Sequence, residues 1–411
     1  MQHRMTRVPR FGSIAGLRPR TIAPLLLVAF LATGTWMTVL SFLSSFAAKE
    51  FNVGIWSAAL IMIAIHTGSF TVGGALSLKV VNRWGSKITY SAGIGILASY
   101  TVFLGVTQNF TLGIPLGLLA GLGLAMHWTG FQNYVVEVAP AQHRGLVSGT
   151  ASFVVVVGIG LFGLALGFAT GDGGFIRFAV IAGSMVGMAF VVALKFLPNL
   201  GQAATAHGGS FLAGFRDPNL RRMTYVRSAH AAAYALFTLM AGPRLYEVGG
   251  GLEYVGVLVF AGSIAGGAAQ LVVGRMSDLF GRTGVLYFLL ITSVFLCIGF
   301  PLVDNIYLLL LISSLNWFAQ TAFQAMMVAL GGDISPRGQT SNAMALLTAS
   351  FSFGIVGGSL YVGLFSTTDW PNTGFFITAV LLAAATVAVY RMRAGLARVN
   401  NVANRPVESG I

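Results

Sequence analysis

Charge is scarce in this sequence: Lys, Arg, Asp and Glu together make up 9% of its 411 residues, where a soluble domain carries about 25%. That scarcity excludes an ordinary water-soluble enzyme. Acids are the rarer sign, 11 against 24 Lys and Arg. Cysteine occurs once, as Cys297 within FLCIGF, so no intrachain disulfide or cysteine-based metal site can form. There is no HExxH, no nucleophile motif and no acid pair within an apolar run. No histidine pair has metal-ligand spacing, although Met126 beside His127, and Met326 with Met327, are soft-metal donor types. An enzyme, a bound metal and a cofactor are therefore not expected. What is abundant is apolar: 56% hydrophobic residues, 53 glycines and 31 phenylalanines, with a mean hydropathy of +0.81. This is the composition of an all-α integral membrane protein.

A helix crossing about 30 Å of hydrocarbon needs about 20 predominantly apolar residues. Twelve such stretches can be drawn, at 22–47, 55–78, 88–107, 112–137, 147–169, 175–197, 226–243, 254–273, 285–302, 306–331, 339–366 and 373–390. Their continuous apolar character favours helices over the alternating strands of a barrel. The first follows five arginines and is too long for a signal peptide, so it is expected to remain as a transmembrane helix. Laying the loops alternately on two sides puts every basic residue except Lys49, Arg177 and Arg244 on one side. Short cytoplasmic loops accumulate Lys and Arg, so both termini are expected in the cytoplasm, across an inner membrane. The net charge of +13 then lines one membrane face, where it meets anionic lipid rather than nucleic acid. The expected division is a basic N-terminus (1–21), a six-helix bundle (22–197), a cytoplasmic linker (198–225), a second six-helix bundle (226–392) and a tail (393–411).

The two halves repeat their loop chemistry. RWGSK, from Arg83 to Lys87, follows the second stretch, and LFGRT, from Leu279 to Thr283, follows the eighth at an offset of 196. Glu137, Pro140, Arg144 and Gly145 after the fourth stretch answer to Asp333, Pro336, Arg337 and Gly338 after the tenth, with a three-residue deletion before the Arg-Gly. Such matched loops indicate parallel repeats related by an axis along the membrane normal. With GRMSDLFGR providing Gly274, Asp278, Gly281 and Arg282, the chain resembles a transporter of the major facilitator superfamily, whose loop pattern is G-x-x-x-D-x-x-G-R/K. The first copy, LKVVNRWGSK, keeps Gly85 and Lys87 but has Leu78, Asn82 and Ser86 at the other pattern positions. The resemblance implies a 6+6 fold and a latch across the cytoplasmic seam, formed by Asp278 with Arg282 and by Arg83 with Glu137 or Arg144. Asp333 and Arg337 belong to the same gating loops.

Polar side chains inside apolar spans either face a cavity or bond a neighbouring helix. Asn316, Gln320 and Gln324 recur every four residues on one helical face, beside Trp317. His127, Trp128, Gln132, Asn133 and Tyr134 lie in the fourth span, and His230, Tyr234 and Thr238 in the seventh. Trp36, Thr38 and Ser41 are the candidates in the first. The resemblance implies that spans one, four, seven and ten line the cavity. His66, His127 and His230 are the titratable groups within the spans and hence the proton-coupling candidates. Since no fixed charge is expected along the path, a small neutral, zwitterionic or aromatic solute fits best, moved by alternating access and either proton-linked through histidine or uncoupled. The expected partners are that solute, the bilayer and protons, with the chain a monomer. A transporter-shaped assembly or sensing factor is the alternative, which the degraded first loop favours.

Overall fold

The computed structural model describes residues 19–40, 55–107, 109–139, 143–170, 174–200, 215–249, 252–335, 340–365 and 373–403. Ser41 and Arg337 lie outside them. No strand occurs among the described residues. In a bilayer, a helix satisfies its own backbone hydrogen bonds, which is why continuous apolar runs take this form. Helix α1 (Pro19–Val28) passes into a π-helical turn, Ala29–Gly34, and helix resumes over 35–40. Helix α2 (Ile55–Gly68) likewise runs through a π-turn, Ser69–Gly73, into α3 (Gly74–Thr107). Then come α4 (Phe110–Val138), α5 (Arg144–Thr170), α6 (Gly174–Phe196) and α7 (Pro218–Gly249). The order ends with α8 (Leu252–Phe280), α9 (Arg282–Gly299), α10 (Ile306–Ile334), α11 (Thr340–Phe365) and α12 (Thr373–Ala403).

Among the described residues nine stretches are long and apolar enough to cross a membrane. One of them, Leu60–Thr107 with 48 residues, is long enough for two crossings. It is broken at Gly85, whose φ of 83° is open to glycine and strained for other residues. The second positive-φ glycine, Gly281 at 87°, separates α8 from α9. The two turns stand 196 residues apart, so the repeat offset read from sequence is also an offset in backbone geometry.

Local chemistry sets the helix starts. The Asn109 side chain accepts the Leu112 amide at 3.0 Å ahead of α4, and that of Asn305 accepts the amides of Tyr307 and Leu308 ahead of α10. Asp217 accepts those of Asn219 and Leu220 at 2.8 and 2.9 Å, with Pro218 as the first helical residue, a position where its missing N–H costs nothing. Helix α7 therefore begins within the segment expected to be linker and carries Arg227 about 13 Å along its axis.

In the first half α3 packs on α4 and α6; in the second, α7 packs on α11 and α12, and α8 on α10. The halves meet where α5 lies along α8 and α2 along α11. Outward faces carry large apolar groups that suit lipid contact, among them Val106, Phe295 and Val380. Within the first half, α2 and α4 touch backbone to backbone: a Cβ at Gly121 would stand 2.0 Å from the Ile65 carbonyl oxygen, and one at Gly68 would stand 2.1 Å from that of Leu118. Gly121→Ala is expected to destabilise the purified protein by about 3 kcal/mol, because backbone cannot yield as a side chain can. Gly163→Ala, where nothing lies within 4 Å, should stabilise by about 1 kcal/mol through helix propensity. Melting curves in detergent check both; equal effects would overturn the backbone-contact account.

Candidate functional site

At the end of the molecule that carries the motif loops, one carboxylate holds two guanidinium groups. Asp333, in the last turn of α10, accepts from Arg144 Nη1 at 3.1 Å and from Arg282 Nε at 2.6 Å. Arg144 begins α5 in the first half, whereas Arg282 begins α9 in the second, so the acid ties the halves together and anchors its own. The latch expected of Arg282 thus includes Asp333, and so does that of Arg144. The side chain of Asp278 lies outside the described residues. Arg83 is exposed and sits over the neighbouring Trp84 ring at 5.5 Å. Glu137 instead accepts a hydrogen bond from Ser86. Adding 196 to Ser86 and Glu137 gives Arg282 and Asp333, so the degraded first copy keeps the same contact as a hydroxyl–carboxylate bond. Gly274 faces α5 of the other half: a Cβ at Gly149 would lie 3.4 Å from its Cα and 2.1 Å from the Gln270 carbonyl oxygen.

Further along, the seam is held by small hydroxyls. Ser352 of α11 donates to Ser69 at 2.9 Å and meets His66 Nδ1 at 3.3 Å. Ser148 donates to the Ala325 carbonyl at 3.0 Å, and Thr348 lies 3.5 Å from Gln132 Oε1. Of the two π-turns, one reaches the seam and the other bonds within the first half. Ser69 sits in one, and Thr33 of the other meets His127 Nε2 at 2.9 Å. Extra-residue turns of this kind recur at functional sites.

The remaining candidates are buried or half-buried on four helices. His127 lies against Tyr90 and Trp128, with centroids 5.1 and 5.5 Å apart. Asn133 donates to the Thr129 carbonyl of its own helix, and Tyr134 donates to Pro198. Trp36 packs edge-on to Tyr100, and Thr38 donates to the Gly34 carbonyl. Tyr234 and Trp317 form a T-shaped pair at 5.9 Å. The side chain of Thr238 lies outside the described residues. The α10 stripe divides: Asn316 faces Cys297 of α9, Gln324 faces α7, and neither amide atom of Gln320, 2% exposed, has a hydrogen-bond partner. His230 stacks on Phe323 at 4.1 Å.

The expectation of a path without fixed charge is corrected by Arg227. Assigned from sequence to the cytoplasmic charge, it is 3% exposed on α7. Its Nη2 donates to Gln324 Oε1 at 2.7 Å, and its guanidinium lies 4.6 Å from the Phe351 ring centroid. The early start of α7 is the physical reason. The spacing of Arg227, His230 and Tyr234 at i, i+3 and i+7 was the available signal, since it places all three on one face.

Residues 223–409 match the family model described as Major Facilitator Superfamily. That match covers less than half of the 411-residue chain, all of it in the second half. The fold is that of solved major facilitator transporters. The human organic anion transporter MFSD10 (TETRAN) superposes with a TM-score of 0.76 over 90% of this chain and 99% of its own, at 14% identity. A bacterial homologue of the iron transporter ferroportin, outward-facing, gives 0.73 over 92% and 100%, at 13% identity. In sequence, the uncharacterized MFS-type transporter YqjV of Bacillus subtilis (strain 168) is 25% identical over 133 residues, which is 32% of this chain and 32% of that relative's length.

The two bonds to Asp333 are separable. Arg144→Gln removes only the pair between halves and is expected to favour the open seam by about 2 kcal/mol, between exposed and buried ion-pair values. It should speed thiol labelling of a cysteine placed at Ser148 while changing the melting temperature little. Asp333→Asn should speed labelling and also lower the melting temperature, because the bond to Arg282 within the second half is lost as well. Labelling unchanged in both variants would remove the latch role.

Proposed function

We propose that the protein is a secondary transporter that moves a small solute across the inner membrane by alternating access, and that it is not an enzyme. The proposed topology is twelve crossings in two six-helix halves, residues 22–197 and 226–392, with both termini in the cytoplasm. The observation that carries this reading is the seam: among the described residues one end is held by a shared acid, Asp333, and the rest of the contact between halves is made by hydroxyls, glycines and apolar side chains such as Phe70 against Phe353. Such contacts can be exchanged for water, so two access states can differ by little and ligand binding can shift them. The ion pairs also support the assigned sides, because Arg244 bonds Asp304 at 2.7 Å, both expected opposite the Asp333 network. The outward-facing state of the ferroportin homologue accords with closure at the end carrying the loops.

The solute is a zwitterionic, aromatic or neutral polar molecule contacted by Trp36, His127, Gln132, Asn133, His230, Tyr234, Asn316, Trp317, Gln320 and Gln324. In the proton-linked version His66 is the best placed of the three histidines, because its hydrogen bond to Ser352 spans the halves. Protonation there would alter a contact that must break on opening.

In proteoliposomes, solute flux should respond to an imposed pH gradient, and His66→Gln should abolish the response while flux continues. Flux indifferent to the gradient in the parent protein overturns proton linkage alone. The rival reading, an assembly or sensing factor, draws on Asn82 and Ser86 in the first loop. Replacing Gln320 and Gln324 with alanine separates them: a transporter should lose flux about tenfold or more with membrane expression retained, given the usual cost of losing polar substrate contacts, whereas an assembly factor should keep its phenotype. Retained flux would remove these two residues from the site.

A further inference from the structure

Arg227 poses a problem that its neighbours do not solve. A guanidinium buried in a membrane protein is costly unless it is paired or used, yet no Asp or Glu among the described residues pairs with it. Of its five N–H donors, Gln324 takes one, on Nη2, while Nε and Nη1 have no partner. Whichever Nη2 hydrogen Gln324 occupies, one edge of the fork, Nε with Nη2 or Nη1 with Nη2, keeps both of its hydrogens. Phe351 covers the guanidinium at 4.6 Å, which fixes the plane without consuming a donor. On α10, one turn before Gln324, Gln320 presents a buried amide whose oxygen and nitrogen are both unpaired. His230, one turn further along α7, is held by its stack on Phe323.

We propose that Arg227 anchors an anionic group of the transported solute, a carboxylate received in bidentate fashion on the free edge of its guanidinium, with Gln320 reading the neighbouring polar part. A planar fork against a planar carboxylate is the strong geometry for this ion pair. Phe323, Phe351, Tyr234 and Trp317 nearby suit an apolar or aromatic remainder. The assignment rests on the transport reading above and narrows its solute to carboxylates, including zwitterions, in place of neutral molecules.

The test measures melting temperature of the full-length protein in detergent against matched probes: benzoate with benzamide, succinate with succinamide, phenylalanine with phenylalaninamide, and inorganic phosphate. Carboxylates are expected to raise it where their amides do not, and Arg227→Gln should weaken the responding probe by about 10- to 100-fold. Arg227→Lys, which keeps the charge and loses the fork, should fall in between. A response to phosphate equal to that of the carboxylates overturns the carboxylate assignment. A response shared by the amides, or one that survives in Arg227→Gln, overturns the anchor altogether. If no probe responds, the unliganded variants decide. A binding residue kept at a cost to stability predicts that Arg227→Gln melts no lower than the parent, and a clear drop overturns the proposal. Flux of a neutral solute that Arg227→Gln leaves intact would sink the anchor and leave transport standing, whereas flux of neither class would sink transport itself.

Discussion

Every charge placed within a low-dielectric, helix-only fold must be neutralised or put to use, and the arrangement of this molecule follows from that constraint. With charged residues at 9% of the chain, few side chains are involved and each can be followed. Asp333 serves two arginines. Arg244 is matched by Asp304 at the opposite end. Glu137, whose counterpart has two cations, is left with Ser86. Arg227, buried, is met by an amide and an aromatic face. The two ends of the bundle are thus held by charge pairs, while the middle is held by hydroxyls, amides and rings.

The sequence carried the repeat because it has few constraints to hide it. A backbone turn that requires positive φ selects glycine, so Gly85 and Gly281 are visible at matching positions even where the surrounding loop has drifted. The Ser86 and Glu137 contact follows the same offset, although Asn82 and Ser86 alone make the first loop look spent. Where the expected stretches are described they fall on helix, apart from a bend at Leu197 that ends the sixth.

What sequence did not convey depends on helix ends and on helix register. Arg227 looked like a loop cation because the apolar run begins just before it, but Asp217 and Pro218 start the helix earlier and draw the residue inside. The π-turns at Ala29–Gly34 and Ser69–Gly73 leave no compositional trace. Each admits an extra residue and thereby re-aims the side chains after it, so the partners of Thr33 and Ser69 cannot be counted out at 3.6 residues per turn. The even four-residue stripe on α10 also divides among neighbours. Across two such steps a helix rotates by about 80°, enough to turn Asn316 to α9 and Gln324 to α7.

The two halves spend these devices differently, and the difference bears on motion. On the α2 side, the first half offers π-turns and single hydroxyls, Ser69 against Ser352 and Gln132 against Thr348. Each such bond is worth about 1 kcal/mol net because water can replace it. On the α5 side, Gly149 lies against the Gln270 backbone, and Phe153 and Val157 seat against Gly267. In the proposed alternating-access cycle, the Asp333 bridge is the charged term at this interface that differs between the two states. A solute that contacts residues on both sides needs a differential affinity of only a few kcal/mol to invert the populations. Scarcity of charge, which first marks the chain as membrane-spanning in composition, also leaves few ion pairs to be broken in the proposed exchange of states.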